Sequence, residues 1–85
     1  QLPSIRACYE RYLRQDPYLA GKVTVELTIE VGGAVGAIRA AENTTRNPAV
    51  ADCIVRTVGR LRFAPGPTGD RVTYAYPFVF QADYP

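Results

Sequence analysis

The two cysteines and the absence of histidine define the chemistry open to this 85-residue chain. Histidine is the usual general base near neutral pH and the commonest metal ligand, so its absence argues against most acid–base and zinc chemistry. Cys8 and Cys53 match none of the closely spaced cysteine pairs of structural zinc sites. An even number of cysteines in a small domain favours one disulfide and an oxidising compartment, and two buried free thiols are the alternative.

The other residues that could do chemistry lack partners. Glu26 and Glu30 share one face of a strand but lie roughly 13 Å apart, too far for a glycosidase-type carboxylate pair. Ser4 has no visible base, and the glycines of 32–36 lie in a hairpin instead of preceding a helix, as a phosphate-binding loop would. We therefore predict no catalytic residues, no metal, no cofactor and no small-molecule substrate, and we interpret the glutamates as solvated strand charges.

Hydrophobic spacing predicts five elements in the order helix, strand, strand, helix, strand. Apolar residues recur every three or four positions in the helices and alternate with polar residues in the first strand. Gly32-Gly33 predicts a hairpin. In the second strand the apolar residues change from odd-numbered to even-numbered positions around Gly36-Ala37, and this change of parity predicts a bulge there. The predicted bounds are 4–15 for the first helix, a start at 47–48 for the second, and 21–31, 34–43 and 72–81 for the strands.

The simplest arrangement that buries these apolar faces is an α+β fold, with two helices packed on one face of a three-stranded antiparallel sheet. We assign residues 1–85 to one such αββαβ domain. Cys8 and Cys53 lie on the core-facing stripes of the two helices, so helices packed side by side would bring them within bonding distance. The chain begins at Gln1 and contains no methionine, so we expect it to be part of a longer protein.

The last strand, "RVTYAYPFVFQ", combines strong strand propensity with a proline, which cannot donate to a ladder. Pro77 therefore predicts a strand at the sheet edge, with backbone pairing to a partner interrupted at that residue. The face shared by Val72, Tyr74, Tyr76, Phe78 and Phe80 is predicted to be core, packed under both helices. The other face is small and uncharged, so the edge is either a template for a partner's strand or merely blunted. The predicted partner-binding residues are Val72, Thr73, Tyr74, Ala75, Tyr76, Pro77 and Val79.

Two rival functions follow from charge and from the open edge. Nucleic-acid binding would use a basic patch of Arg56, Arg60, Arg62 and Arg71. The net charge of only +2, and a last strand whose aromatic residues alternate with small residues instead of basic ones, argue against it. A purely structural or dimerising role is the second rival, because an open edge can also pair with another copy.

Nearly the whole chain resembles the C-terminal domain of TonB-type energy transducers, through "CYERYL", "DPYLAGKVTVELTI" and "GGAV". The later segments "VADCIVRTVGRLRF" and "VTYAYPFVF" are similar to the TonB-like domain of the AgmX/PglI (GltJ/GltG) group of myxobacterial gliding-motility proteins. The most specific parts of the resemblance are Gly21-x-Val23-x-Val25, Gly33-x-Val35, Cys53-Ile54 and Tyr76-Pro77-Phe78.

The resemblance implies a periplasmic domain at the end of a long linker from an inner-membrane anchor. Such domains bind outer-membrane or periplasmic proteins, often by strand addition to the last strand, and pass on work from a proton-driven motor. Two departures matter. Phe63 is followed by Ala64 where the family often has proline, and Tyr76-Pro77 lies in the final strand, whereas TonB's own Tyr-Pro pair precedes its first helix. Contact residues are therefore not carried over from that pair.

Overall fold

The computed structural model describes residues 3–63 and 66–81. Within them the elements are helix α1 (Pro3–Leu13), strands β1 (Gly21–Ile29) and β2 (Val35–Asn43), helix α2 (Pro48–Gly59) and strand β3 (Val72–Phe80). The strands form an antiparallel sheet in the order β2-β1-β3, and both helices cover the same face. The predicted α+β fold is confirmed, and β3 is an edge strand, as Pro77 indicates.

The central strand β1 alternates as its sequence predicts. Its odd-numbered side chains from Val23 to Ile29 are buried, and its even-numbered side chains are half-buried on the open face of the sheet. The strand ends two residues earlier than predicted, because Gly33 donates its N–H to the carbonyl of Glu30 and begins the hairpin there. Val31 consequently lies exposed in the turn instead of on the buried face.

Strand β2 pairs with β1 through two irregularities. The first places one extra residue at Gly36-Ala37, opposite Thr28, and this is the bulge that the change of parity predicts. The second places Ala41 between the partners of Thr24 and Val25. No change of hydrophobic parity marks that position, and the sequence therefore did not predict it. Each bulge twists the strand and interrupts its outer edge.

Helix α2 begins where its sequence predicts. Asn47 is the N-cap, and its side-chain oxygen accepts hydrogen bonds from the N–H groups of Ala49 and Val50 at 3.0 and 3.4 Å. Pro48, which lacks an N–H, occupies the first helical position, where no donor is needed. The helix buries its apolar stripe against the sheet and α1 through Val50, Ala51, Cys53, Ile54 and Val58.

Helix α1 reaches β3 at only one end of that strand. The ring of Tyr9 stacks on Phe80 with centroids 4.6 Å apart. The Tyr9 hydroxyl lies 2.5 Å from the carbonyl oxygen of Leu19 and 3.2 Å from that of Gln81. Leu19, in the connector after α1, is fully buried. Helix α1 therefore closes the core over the Phe80 end of the sheet.

The predicted disulfide is present. Cys8 and Cys53 are bonded with their Cα atoms 5.7 Å apart, and the bridge joins α1 to α2 across 45 residues of chain. Both cysteines are buried among the core side chains. A domain of this size buries a modest core, so a covalent link between its two helices contributes a large part of its stability.

Replacing both cysteines, Cys8→Ala with Cys53→Ala, should lower the free energy of unfolding by about 3–4 kcal/mol. In the chain-entropy model this is the effect of releasing a loop of this length in the unfolded state. Urea denaturation followed by circular dichroism measures the change. Reductant should destabilise the native chain and leave the double variant, which serves as the control, unaffected. Equal stability of the two chains without reductant would contradict the prediction.

Candidate partner-binding edge

The hydrogen bonds of β1 establish which backbone groups of the sheet are already used. Toward β2, the carbonyl of Lys22 accepts from the N–H of Thr44 at 2.8 Å, and the N–H of Glu30 donates to the carbonyl of Ala34 at 2.8 Å. Both are even-numbered residues, and backbone groups alternate in direction along a strand. The even-numbered residues of β1 therefore bond toward β2, and the odd-numbered residues bond toward β3.

This alternation fixes the direction of every backbone group in β3. The odd-numbered residues of β1 lie opposite the even-numbered residues of β3, in an unbroken register from Gly21–Phe80 to Ile29–Val72. Where the backbone N–H and C=O groups of two directly opposite residues point toward each other, the two residues exchange both N–H···O=C hydrogen bonds. The odd-numbered residues of β3 therefore direct their groups to the free edge, which offers the N–H of Thr73, Ala75 and Val79 and the C=O of Thr73, Ala75, Pro77 and Val79.

Pro77 lies at one of these outward positions. It is opposite Thr24, in a pair that makes no mutual backbone hydrogen bonds. Its missing N–H is therefore directed away from the sheet, and β3 keeps its full ladder to β1. The same geometry limits what the edge can offer, because a partner's carbonyl opposite Pro77 finds no donor there.

The two edges of the sheet differ in their suitability for pairing. Strand β2 carries two bulges and the charged residues Arg39 and Glu42, which are features that discourage the addition of another strand. Strand β3 has nine residues in regular register and no charged residue between Val72 and Phe80. The edge of β3 is therefore the one open to a partner's strand.

Two ion pairs on the open face join β1 to β2. Glu26 pairs with Arg39 at 3.1 Å, and Lys22 pairs with Glu42 at 3.0 Å. The hydrogen bond from Lys22, together with its positive charge, lowers the pKa of Glu42. The open-face side chains of β3 itself, Thr73, Ala75, Pro77 and Val79, are short and uncharged.

The prediction that the whole aromatic face of β3 is core is wrong for its first half. Phe78 and Phe80 are buried, but Tyr74 and Tyr76 are 51% and 56% exposed, and Val72 is also exposed. The reason is the placement of the helices. Helix α2 packs mainly against α1 and β2, and α1 reaches β3 only near Phe80. Two helices leave one corner of the three-stranded sheet uncovered.

An apolar groove of about 640 Å³ lies over this uncovered corner. We call it the β3 groove. Strand β3 contributes the tyrosines together with Phe78, β1 contributes Leu27 and Ile29, and the end of α2 with the residues beyond it contributes Val58, Leu61 and Phe63. Among the described residues, no charged side chain lines it.

The far wall of the groove is held in place by the hairpin. Phe63 donates its N–H to the carbonyl of Gly33 at 2.8 Å, and the adjacent Arg62 pairs with Ala34 in an antiparallel bridge. Gly33 has a φ of 96°, and a Cβ at this position would collide with the backbone of Phe63. Only glycine permits this approach. The hairpin thus positions Leu61 and Phe63 opposite β3.

The structure brings all seven predicted partner-binding residues together as one exposed edge, since each of them from Val72 to Pro77, and Val79, is exposed. Their role in binding stays a prediction. Sequence reasoning missed Leu61 and Phe63 as neighbours of this edge. The signal in the sequence was the apolar pair Leu61 and Phe63 itself, which follows the end of α2 at Gly59.

The four arginines of the predicted basic patch differ in whether they form an ion pair. Arg71 is within 3.5 Å of Glu30 in an ion pair. Arg56, Arg60 and Arg62 are exposed and have no acidic partner within ion-pair distance among residues 3–63 and 66–81. Glu26 in β1 is thus engaged by Arg39, and Glu30, the residue after β1, is engaged by Arg71.

Within the described part of the chain, no three acidic or cysteine side chains come together as a metal site. No helix there is long and apolar enough to span a membrane. No family model, curated protein or solved structure matches this chain. The resemblance to TonB-like domains therefore rests on the sequence segments quoted above.

Alanine substitutions in β3 should separate its covered end from its uncovered end. Phe78→Ala should lower the free energy of unfolding by about 3–5 kcal/mol, because it removes a buried ring. Tyr76→Ala should cost about 1 kcal/mol, because its ring is half exposed and the loss is limited to strand propensity and the contact with the Phe78 ring at 4.9 Å. Thermal or urea unfolding measures both. Equal losses would show that Tyr76 is as deeply packed as Phe78, against the structure.

Proposed function

We propose that this chain is a TonB-like, non-enzymatic interaction domain that binds an extended segment of an outer-membrane or periplasmic protein by strand addition to β3. The observation that carries the proposal is the free edge of this strand. It presents unpaired N–H and C=O groups in regular register, lacks charges and bulges, and lies beside an apolar groove. Edges of this kind bind extended peptides through backbone hydrogen bonds, with side-chain pockets adding specificity.

The disulfide supports an extracytoplasmic setting, because such bonds persist in oxidising compartments. We place the domain in the periplasm, as part of an inner-membrane-anchored protein that works with a proton-driven motor. The resemblance to energy transducers of gliding motility supports this setting. In this role the domain transmits motor-derived mechanical work to its envelope partner.

Strand addition suits the transmission of force. A partner strand pulled along its own axis loads its backbone hydrogen bonds together, whereas peeling would break them one at a time. Within the domain itself, the disulfide limits unfolding under load, because the chain between Cys8 and Cys53 cannot be extended while the bridge is intact. The segment that contains β1 and β2 is thereby protected from extension, and the chain that load can extend lies outside residues 8–53.

Removing one outward donor should weaken this binding. Ala75→Pro deletes an N–H that is directed to the free edge, as Pro77 already does, without removing a bond to β1. Octapeptides selected on the native domain from a random library should bind this variant at least about tenfold more weakly, measured by fluorescence anisotropy. Ala75→Val, which keeps the N–H and favours strand structure, is the matched control and should bind normally.

The selected peptides supply a second readout of the same geometry. Only alternate residues of an added strand bond to the edge. N-methylation of those residues should therefore abolish binding, and N-methylation of the residues between them should be tolerated. Binding that survives both methylation patterns and is unaffected by Ala75→Pro would refute strand addition.

A further inference from the structure

The charges of this domain are divided unequally between its two layers. The charged side chains of the sheet and its ends close into three ion pairs, Lys22–Glu42, Arg39–Glu26 and Arg71–Glu30, so that side is neutral. The two helices and the residues directly after them carry five arginines against two acids, a net charge of +3, although the whole chain has only +2. The helix layer is therefore the positive side of the molecule.

Most of this positive charge is not neutralised within the domain. The fifth arginine, Arg6, pairs with Glu10 at 3.5 Å. The other four are exposed and have no acidic partner within ion-pair distance in residues 3–63 and 66–81: Arg11, Arg14, Arg56 and Arg60. The disulfide holds α1 and α2 side by side over the same face of the sheet. We call the outer face formed by these four residues the arginine surface.

We propose that the arginine surface docks on the headgroups of an anionic phospholipid bilayer. Every positive side chain of the helix layer is an arginine, whose planar guanidinium donates two parallel hydrogen bonds to a phosphate and stays charged at physiological pH. Near an anionic membrane surface, each such residue raises the affinity about fivefold. This role is independent of the proposed strand addition, because β3 contributes nothing to the arginine surface.

The helix layer lacks the apolar anchors that a protein partner would use. In the described part of the chain, the large apolar side chains that are exposed lie in connections, at Tyr18, Val31 and Phe63, or in β3, and none lies on α1 or α2. Protein interfaces take most of their binding energy from a few anchors that fill desolvated pockets. The same absence confines membrane contact to the headgroups, since insertion needs an exposed apolar face. A second copy would oppose like charges.

Nucleic acid also presents phosphates but fits this surface less well. Single strands bind by stacking their bases on exposed aromatic side chains, and neither helix exposes one. The major groove of a duplex admits one helix, whereas these arginines are spread over two helices joined side by side. A bilayer presents its phosphates over a plane, which matches positive charges distributed over a layer of two helices.

Co-sedimentation with lipid vesicles tests the proposal. One set of vesicles is phosphatidylcholine alone, and the other contains about one third phosphatidylglycerol. The native domain should bind the anionic vesicles at least about tenfold more strongly. At about 0.1 M salt the Debye length is about 10 Å, so charges on the far side of the sheet contribute little, and about 1 M salt should release the domain.

Matched charge substitutions assign the binding to the helix layer. Arg11→Gln with Arg56→Gln removes one charge from each helix and should weaken binding to anionic vesicles at least about tenfold. Arg14→Gln with Arg60→Gln should cause a similar loss. Lys22→Gln with Arg39→Gln removes the same charge from the open face, and this control should bind as the native domain does. Circular dichroism verifies that each variant is folded.

Three results would overturn the proposal. The first is equal binding of the native domain to the two kinds of vesicle, and the second is binding that persists at about 1 M salt. The third is an equal loss in the helix and open-face variants, because the arginine surface would then have no special role. Duplex DNA, single-stranded RNA and polyglutamate serve as competitors at the same concentration of negative charge. Tighter binding to one of them than to the vesicles would replace the bilayer as the occupant.

Discussion

The alternation of β1 is the constraint on which the rest of the structure depends. Its odd-numbered side chains form the floor of the core, and its even-numbered side chains carry the ion pairs of the open face. The same alternation divides its backbone groups between β2 and β3. Once the even-numbered groups are bound to β2, the register with β3 leaves the odd-numbered groups of β3, including Pro77, at the free edge.

The placement of the helix layer leaves an apolar groove beside this edge. The Cys8–Cys53 bridge ties α1 to α2, and α2 packs over β2. Because α2 packs over β2 and α1 covers β3 only near Phe80, the corner of the sheet beneath Tyr74 and Tyr76 is left without a cover. The β3 groove is therefore a consequence of where the core is closed. The groove and the closed core lie on the same face of the sheet, the groove over the Tyr74–Tyr76 corner of β3 and the closed core beneath the two helices.

The sequence predicted those features that arise from local pattern. Alternation predicted β1, Asn47-Pro48 predicted the start of α2, and Pro77 predicted the edge. The disulfide followed from the positions of the cysteines on the helical stripes. Features that depend on how elements pack were not predictable in this way. Periodicity shows which face of β3 is apolar, but it does not show whether a helix lies above each residue, so the exposure of Tyr74 and Tyr76 was missed.

The same limit explains what was missed around the site. Ala41 enters a bulge without any change in the hydrophobic pattern, since its neighbour at position 40 is also alanine. Leu61 and Phe63 reach the groove only because Gly33 allows Phe63 to approach the hairpin. The apolar pair beyond Gly59 indicates side chains to be buried, but it does not predict this contact, which joins residues 30 positions apart. The edge itself was predictable, but the wall of the groove opposite β3 was not.

Amide hydrogen exchange in β3, followed residue by residue by NMR, tests the central claim most directly. In the free domain the N–H groups of Tyr74, Tyr76 and Phe78 should exchange slowly, because they bond to β1, and those of Thr73, Ala75 and Val79 should exchange rapidly. Adding a bound octapeptide should slow exchange at Thr73 and Ala75. Protection of Thr73 and Ala75 in the free domain, or rapid exchange there in the complex, would contradict a free edge that binds its partner by strand addition.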